Sequence, residues 1–178
     1  VLTKPVGTGT LFAADMRHKA RGNWVHAALS SMLQSNKAGA DILFKHKTNA
    51  CTDVTGFGLL GHLVEMAKPS QVDVTLELGA IPTLDGAVDL IKDGIFSSLQ
   101  PQNVRLRRAI KNVDRAAQEP LYPIIFDPQT SGGLLASLPA ENADACIDEL
   151  KIAGYHETSV IGTVTENTGT LEPITLTT

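Results

Sequence analysis

The residues best equipped for chemistry are gathered in Ala50-Cys51-Thr52-Asp53-Val54-Thr55-Gly56-Phe57-Gly58-Leu59-Leu60-Gly61-His62, where a carboxylate, hydroxyls and glycines precede an apolar helical run. Backbone N–H groups at a helix entrance attract anions, and glycines there let a phosphate approach closely. Asp53 adds a hard oxygen ligand that suits Mg²⁺ when phosphate oxygens complete the coordination shell. The same side chains also have a plainer use, since Asp53 or Thr55 can cap the helix. The two uses are compatible.

Gly56, Gly58 and Gly61 also fit G-x-G-x-x-G, with Glu77 placed where a ribose-binding acid would stand in a dinucleotide fold. Against that reading, Asn49 to Thr55 is polar where a buried parallel strand is apolar, and the order of elements lacks regular βαβ units. A second constellation, Asp127-Pro128-Gln129-Thr130-Ser131-Gly132-Gly133, can hold a ligand or simply turn a hairpin, and the hairpin is the expectation. Ser131 has neither a G-x-S-x-G setting nor a marked partner, which argues against a hydrolase nucleophile. Arg107, Lys111 and Arg115, with Arg105 and Arg108 nearby, read as the solvated basic side of one helix. His18, His26, His46, His62 and His156 show no metal-ligand spacing, and Cys51 and Cys146 form no C-x-x-C pair.

The elements that must position these groups follow from periodicity. The segment through Phe12 is β-branched and reads as a strand; Trp24, Val25, Ala28, Leu29, Met32 and Leu33 mark a helix, and Ala38 to about Lys47 a second. Leu59 to Lys68 is helical up to Pro69, and Val72, Val74, Leu76 and Leu78 alternate as a strand. Leu84 to Lys92 forms a short helix, and Asn103 is placed to cap another that carries Val104, Leu106, Ile110 and Val113. Gly132 to Leu138, Val160 to Thr165 and Ile174 to Leu176 are strands, with a helix from about Ala140 to Ala153. This order predicts an α+β fold: a single domain with a mixed β-sheet packed with helices.

With 178 residues, 43% of them hydrophobic and 19% charged, the chain is long enough for one self-sufficient core. A formal charge of −4 argues against capture of nucleic acid by the whole surface. No apolar run approaches a membrane span and no signal peptide opens the chain, so a soluble, cytoplasmic protein with reduced cysteines is expected. Val1-Leu2-Thr3-Lys4-Pro5 reads like the interior of something longer, a fragment.

The Ala50–His62 run, Ser97-Ser98-Leu99-Gln100-Pro101-Gln102-Asn103, and Asp127-Pro128-Gln129-Thr130-Ser131-Gly132-Gly133-Leu134-Leu135 together resemble selenophosphate synthetase (selenide, water dikinase), whose fold is shared with aminoimidazole ribonucleotide synthetase. The resemblance starts at Leu2-Thr3-Lys4-Pro5-Val6-Gly7-Thr8-Gly9 and covers residues 1–178, but matches only that enzyme's C-terminal half. It implies an ATP-dependent enzyme that makes selenophosphate, AMP and phosphate from selenide, ATP and water. It further implies Mg²⁺ as cofactor, a homodimer when full length, and a partner in the enzyme's own N-terminal half. The family's nucleophilic cysteine or selenocysteine and its catalytic lysine belong to that half, so no catalytic residue is expected here. Asp53 matches the family's Mg²⁺-binding aspartate, whereas Cys51 does not match the nucleophile. The isolated chain is then expected to be inactive. The alternative is a non-catalytic binding or interaction domain of the same fold.

Overall fold

A computed structural model describes all 178 residues. Eight α-helices and five strands follow in the order α1 (Thr8–Asp15), α2 (Gly22–Leu33), α3 (Lys37–Lys45), β1 (Ala50–Asp53), α4 (Gly58–Ser70), β2 (Val72–Glu77), α5 (Ala87–Lys92), α6 (Gln100–Asn103), α7 (Val113–Ala116), β3 (Leu134–Ser137), α8 (Ala143–Ile152), β4 (Gly162–Glu166) and β5 (Ile174–Thr177). The longest helices and the strand β2 lie where apolar periodicity places them.

The strands form a two-stranded antiparallel ribbon, β1–β3, and a three-stranded mixed sheet ordered β4–β2–β5, in which β2 runs antiparallel to β4 and parallel to β5. A short extended stretch at the start of the chain joins them. Leu2 exchanges both backbone bonds with Ser159, at 2.9 and 3.1 Å, while Val1 and Thr3 bond to Ala136 and Leu134 on the other side. The larger core lies under the mixed sheet, where Leu59, Leu60 and Leu63 of α4 meet Val74, Leu76 and Phe126. A smaller one, with Ile42, Leu43, Cys146, Leu150 and Tyr155, closes the ribbon against α3 and α8.

Three expectations are corrected. The segment through Phe12 is not a strand: apart from bridges at Leu2 and Val6, it forms the helix α1, whose first turn is held by a distant loop. Residues 104–113 do not make one helix. A 3₁₀ turn over Val104–Ala109 gives way to an extended Ile110 and then to α7, so Arg107, Lys111 and Arg115 share no helical face. Lys111 instead lies 3.4 Å from the buried Asp73, whose carboxyl is held below its usual range first by the Thr168 hydroxyl and then by this ammonium. Finally, Pro69 does not stop α4 but sits in its last turn, and the helix ends at Gln71 in a left-handed conformation with φ of 53°.

Candidate functional site

β1 ends at Asp53, opposite Leu134 of β3, and the alternation of the strand turns Cys51 and Asp53 outward. The next four residues reach α4 under tight restraint. Val54 N–H bonds to Gly133 O at 2.9 Å, Thr55 O accepts Gln129 N–H at 2.9 Å and Gly58 N–H at 3.0 Å, and Gly56 O accepts Asn103 Nδ2 at 2.8 Å. Asn103 also donates to Phe126 O at 3.0 Å, so one buried amide ties the loop to the 3₁₀ turn Tyr122–Phe126. Replacing Asn103 with Leu leaves both carbonyls without this donor. The expected cost is about 2 kcal/mol, read by thermal unfolding, with faster amide exchange confined to residues 54–58.

The capping reading of Asp53 and Thr55 is settled by the geometry: α4 has Phe57 at its N-cap and no side-chain cap bond. Thr55 Oγ1 lies 3.1 Å from His62 Nε2, a hydrogen bond that ties the loop to the first turns of the helix, while His62 Nδ1 lies 3.1 Å from Glu65 Oε2 without hydrogen-bond geometry. Asp53 takes part in none of the chain's five ion pairs, and its carboxylate makes no hydrogen bond. It is an exposed, unpaired carboxylate on a fixed backbone. No group of three or more metal-capable side chains exists, the five histidines included, so any cation here takes most of its ligands from elsewhere.

Two of the three glycines have structural reasons. Gly58 has φ of +70°, and a Cβ there would lie 2.9 Å from the Phe126 backbone; one on Gly61 would meet Phe57 Cβ at 2.6 Å. A Cβ on Gly56 meets nothing within 4 Å. The strand before them belongs to an antiparallel ribbon and Glu77 to the other sheet, so the dinucleotide reading has no βαβ unit to stand on.

Asp127 to Gly133 is not a hairpin: it follows the 3₁₀ turn, and β3 pairs with β1. Its side chains reach more than a hundred residues back to the amino end of α1, which has no cap of its own. Gln129 Oε1 accepts Gly7 N–H, Thr8 N–H and Thr8 Oγ1–H at 3.0, 3.2 and 3.1 Å, and Asp127 accepts Gly9 N–H at 3.1 Å and Thr10 Oγ1–H at 2.8 Å. Burial pushes the Asp127 carboxyl up to about 6, against the pull of these donors. Ser131, the residue weighed as a nucleophile, lends its carbonyl to Lys4 Nζ at 3.2 Å, and Gln34 O accepts the same ammonium at 2.6 Å. Lys4 is almost fully buried with no carboxylate beside it, and burial lowers its pKa. Sequence reasoning missed Lys4 and Asn103 as anchors, because both act through backbone carbonyls far along the chain.

Residues 1–172 match the family described as AIR synthase related protein, C-terminal domain. The chain is 34% identical over 168 residues to the selenide, water dikinase of Clostridioides difficile strain 630, and 36% over 162 residues to that of Geobacter metallireducens, covering 92% and 91% of this chain. It spans about half the length of these curated relatives, 47% of each. Among solved structures, the hydrogenase maturation protein HypE of E. coli superposes with a TM-score of 0.68 at 15% identity, over 98% of this chain and 44% of that one. HypE in complex with ATP gives 0.51 over 93% and 41%, and thiamine monophosphate kinase from Aquifex aeolicus 0.55 over 97% and 47%, both at 15% identity. At such identities these structures speak for the fold alone.

Proposed function

We propose, on the premise that this chain belongs to the AIR synthase related family as its C-terminal domain, that it is the C-terminal half of an ATP-dependent selenide, water dikinase and that Asp53 is its contribution to the Mg²⁺–nucleotide site. The observation that carries the reading is the Asp53 carboxylate, free of any partner in the chain at the end of a strand whose following loop is anchored on three sides. The names of the curated relatives support the reaction, and the ATP complex of a protein of similar fold supports the nucleotide.

One hard oxygen ligand fits Mg²⁺ whose other ligands are polyphosphate oxygens and carboxylates of the N-terminal half. When bound, the ion neutralises phosphate charge as it develops during phosphoryl transfer. This chain's own task is positioning: Asn103, Gly133 and Gln129 fix the loop, and the loop fixes Asp53. The full enzyme, in this reading a cytoplasmic homodimer, takes selenide, ATP and water to selenophosphate, AMP and phosphate, with the nucleophile and catalytic lysine in the N-terminal half.

Two experiments test this. The isolated chain, given ATP, Mg²⁺ and selenide, is expected to form no AMP or selenophosphate above a no-protein control; turnover would overturn the division of labour. In the full-length protein, Asp53→Asn should raise the Mg²⁺ needed for half-maximal selenophosphate formation at least about tenfold, because the charge that attracts the ion is gone. The thermal midpoint should hold, since no bond inside the chain is lost. An unchanged Mg²⁺ requirement rejects the assignment and favours an interaction domain.

A further inference from the structure

Lys4 is 2% exposed, takes part in none of the chain's five ion pairs, and spends its ammonium on two backbone carbonyls, Gln34 O at 2.6 Å and Ser131 O at 3.2 Å. An apolar side chain of similar length would fill the same space without dehydrating a charge. The ammonium is therefore there for its donors, and what they hold shows their use. Gln34 joins α2 to α3, and Ser131 opens a turn before β3. Ser131 has φ of 48°, in the left-handed region that residues with a Cβ avoid. Two glycines follow it, yet the left-handed residue is the serine and neither glycine. Their missing Cβ serves close approach instead: one on Gly132 would stand 2.2 Å from Val54 O, and one on Gly133 2.5 Å from Lys4 N.

That turn leads directly to Asp53. Gly132 O accepts Asn36 Nδ2–H at 2.9 Å, Gly133 O accepts Val54 N–H at 2.9 Å, and Leu134 stands opposite Asp53 in the ribbon. Thr3 brackets the other end of the turn, its Oγ1 accepting Leu134 N–H at 2.8 Å and its N–H donating to Leu134 O at 3.0 Å. Lys4 thus reaches Asp53 through Ser131, Gly132, Gly133 and Val54, with no bond to the carboxylate itself. A left-handed residue with a side chain persists only where its surroundings over-determine it. The exposed Ser131 hydroxyl makes no hydrogen bond, so its own side chain does not supply that restraint.

We propose that Lys4 is a positioning residue for Asp53: its ammonium holds Ser131 in the left-handed turn, the turn fixes Val54, and Val54 sets where the Asp53 carboxylate stands. The proposal rests on the reading of Asp53 as a Mg²⁺ ligand and names what holds that ligand ready. A lone protein carboxylate that shares an ion with groups from elsewhere has to be held in advance, because whatever freedom it keeps is lost on binding. With methionine in place of Lys4, Ser131 relaxes toward negative φ, the bond between Gly133 O and Val54 N–H opens more often, and the carboxylate samples more positions. With glycine also at position 131, positive φ carries no steric cost and the turn keeps its shape without the ammonium. The bond to Gln34 is lost in both chains, so the difference between them reads the Ser131 arm alone.

In the full-length protein, Lys4→Met is expected to raise the Mg²⁺ needed for half-maximal selenophosphate formation about threefold to tenfold, less than Asp53→Asn does, while kcat at saturating Mg²⁺ stays within about twofold. With neither Mg²⁺ nor nucleotide present, its Val54 amide should exchange at least about tenfold faster. Adding Ser131→Gly should bring both values back to within about twofold of the native protein. If Lys4→Met does not fold, Ser131→Val takes its place: the β-branched side chain strains the left-handed turn while Lys4 stays, and the same two shifts are expected. An unchanged Mg²⁺ requirement and unchanged Val54 exchange, beside an Asp53→Asn that does shift the requirement, would overturn the proposal alone. So would shifts in Lys4→Met that Ser131→Gly leaves as they are, since the lysine would then matter only for packing. If Asp53→Asn itself leaves the Mg²⁺ requirement unchanged, the reading of Asp53 fails and the proposal falls with it.

Discussion

Asp127→Ala is expected to cost about 3–4 kcal/mol of folding stability, while Asp127→Asn at neutral pH retains most of it. The carboxylate is fully buried and accepts from Gly9 N–H, Thr10 Oγ1–H and Gln129 Nε2–H. Alanine removes those acceptors, opens a cavity and strips the first turn of α1 of part of its only cap. Asparagine keeps an acceptor for Gly9 and Gln129, and its amide can donate to the Thr10 hydroxyl, which rotates to accept. It also avoids burying a charge. The native carboxyl, pushed up to about 6 from 3.8, contributes stability that is complete below pH 3.8 and is lost as pH rises through 6, on the order of 3 kcal/mol over that window. Denaturant titrations from pH 4 to 7 should show this loss in the native chain and not in Asp127→Asn. A native chain whose stability rises across that window would reject the account.

Gly132→Ala is expected to be at least as damaging, and Gly56→Ala nearly silent, although both lie in glycine-rich runs. A Cβ on Gly132 would stand 2.2 Å from Val54 O and 3.0 Å from Gln129 Cβ, so the loop after Asp53 or the loop that caps α1 has to move. Neither can yield cheaply, because Val54 and Thr55 are bonded to Gly133 and Gln129. A loss of more than about 3 kcal/mol is expected, in the range of overpacked cores and beyond. A Cβ on Gly56 points into open space, and losing a glycine there changes stability by under about 1 kcal/mol, in the stabilising direction if the backbone accepts it. Thermal unfolding of the pair decides the matter; equal midpoints would show that the loop gives way freely.

What the sequence disclosed and what it hid divide by the range of the interactions. The α2, α3, α4 and β2 elements are visible because their apolar spacing is local, and Asp53 is visible because a carboxylate before a glycine-rich helix entrance has few uses. The helix α1 is not visible, since Thr8-Gly9-Thr10 starts a helix only when Asp127 and Gln129 arrive to hold its N–H groups. The strand β1 hides in a polar run because two of its four residues face outward. Asn103 offers a good helix cap by type, yet its amide is spent on Gly56 and Phe126, and the expected basic helix breaks into a 3₁₀ turn and a short α7. The site's anchoring was thus partly encoded in the quoted motifs, but not how those motifs interlock.

The pairing of Leu2 with Ser159 also governs when this molecule can become itself during synthesis. Within this chain Leu2 is held by Ser159, made far later, and α1 waits for Asp127 and Gln129 before its amino end is capped. Translation at ~5–20 residues per second keeps the apolar faces of α1 and α2 without their final partners for on the order of ten seconds. Nascent chains stalled before residue 127 should therefore bind holdase chaperones, and release should come only once the segment around Ser159 has left the ribosome.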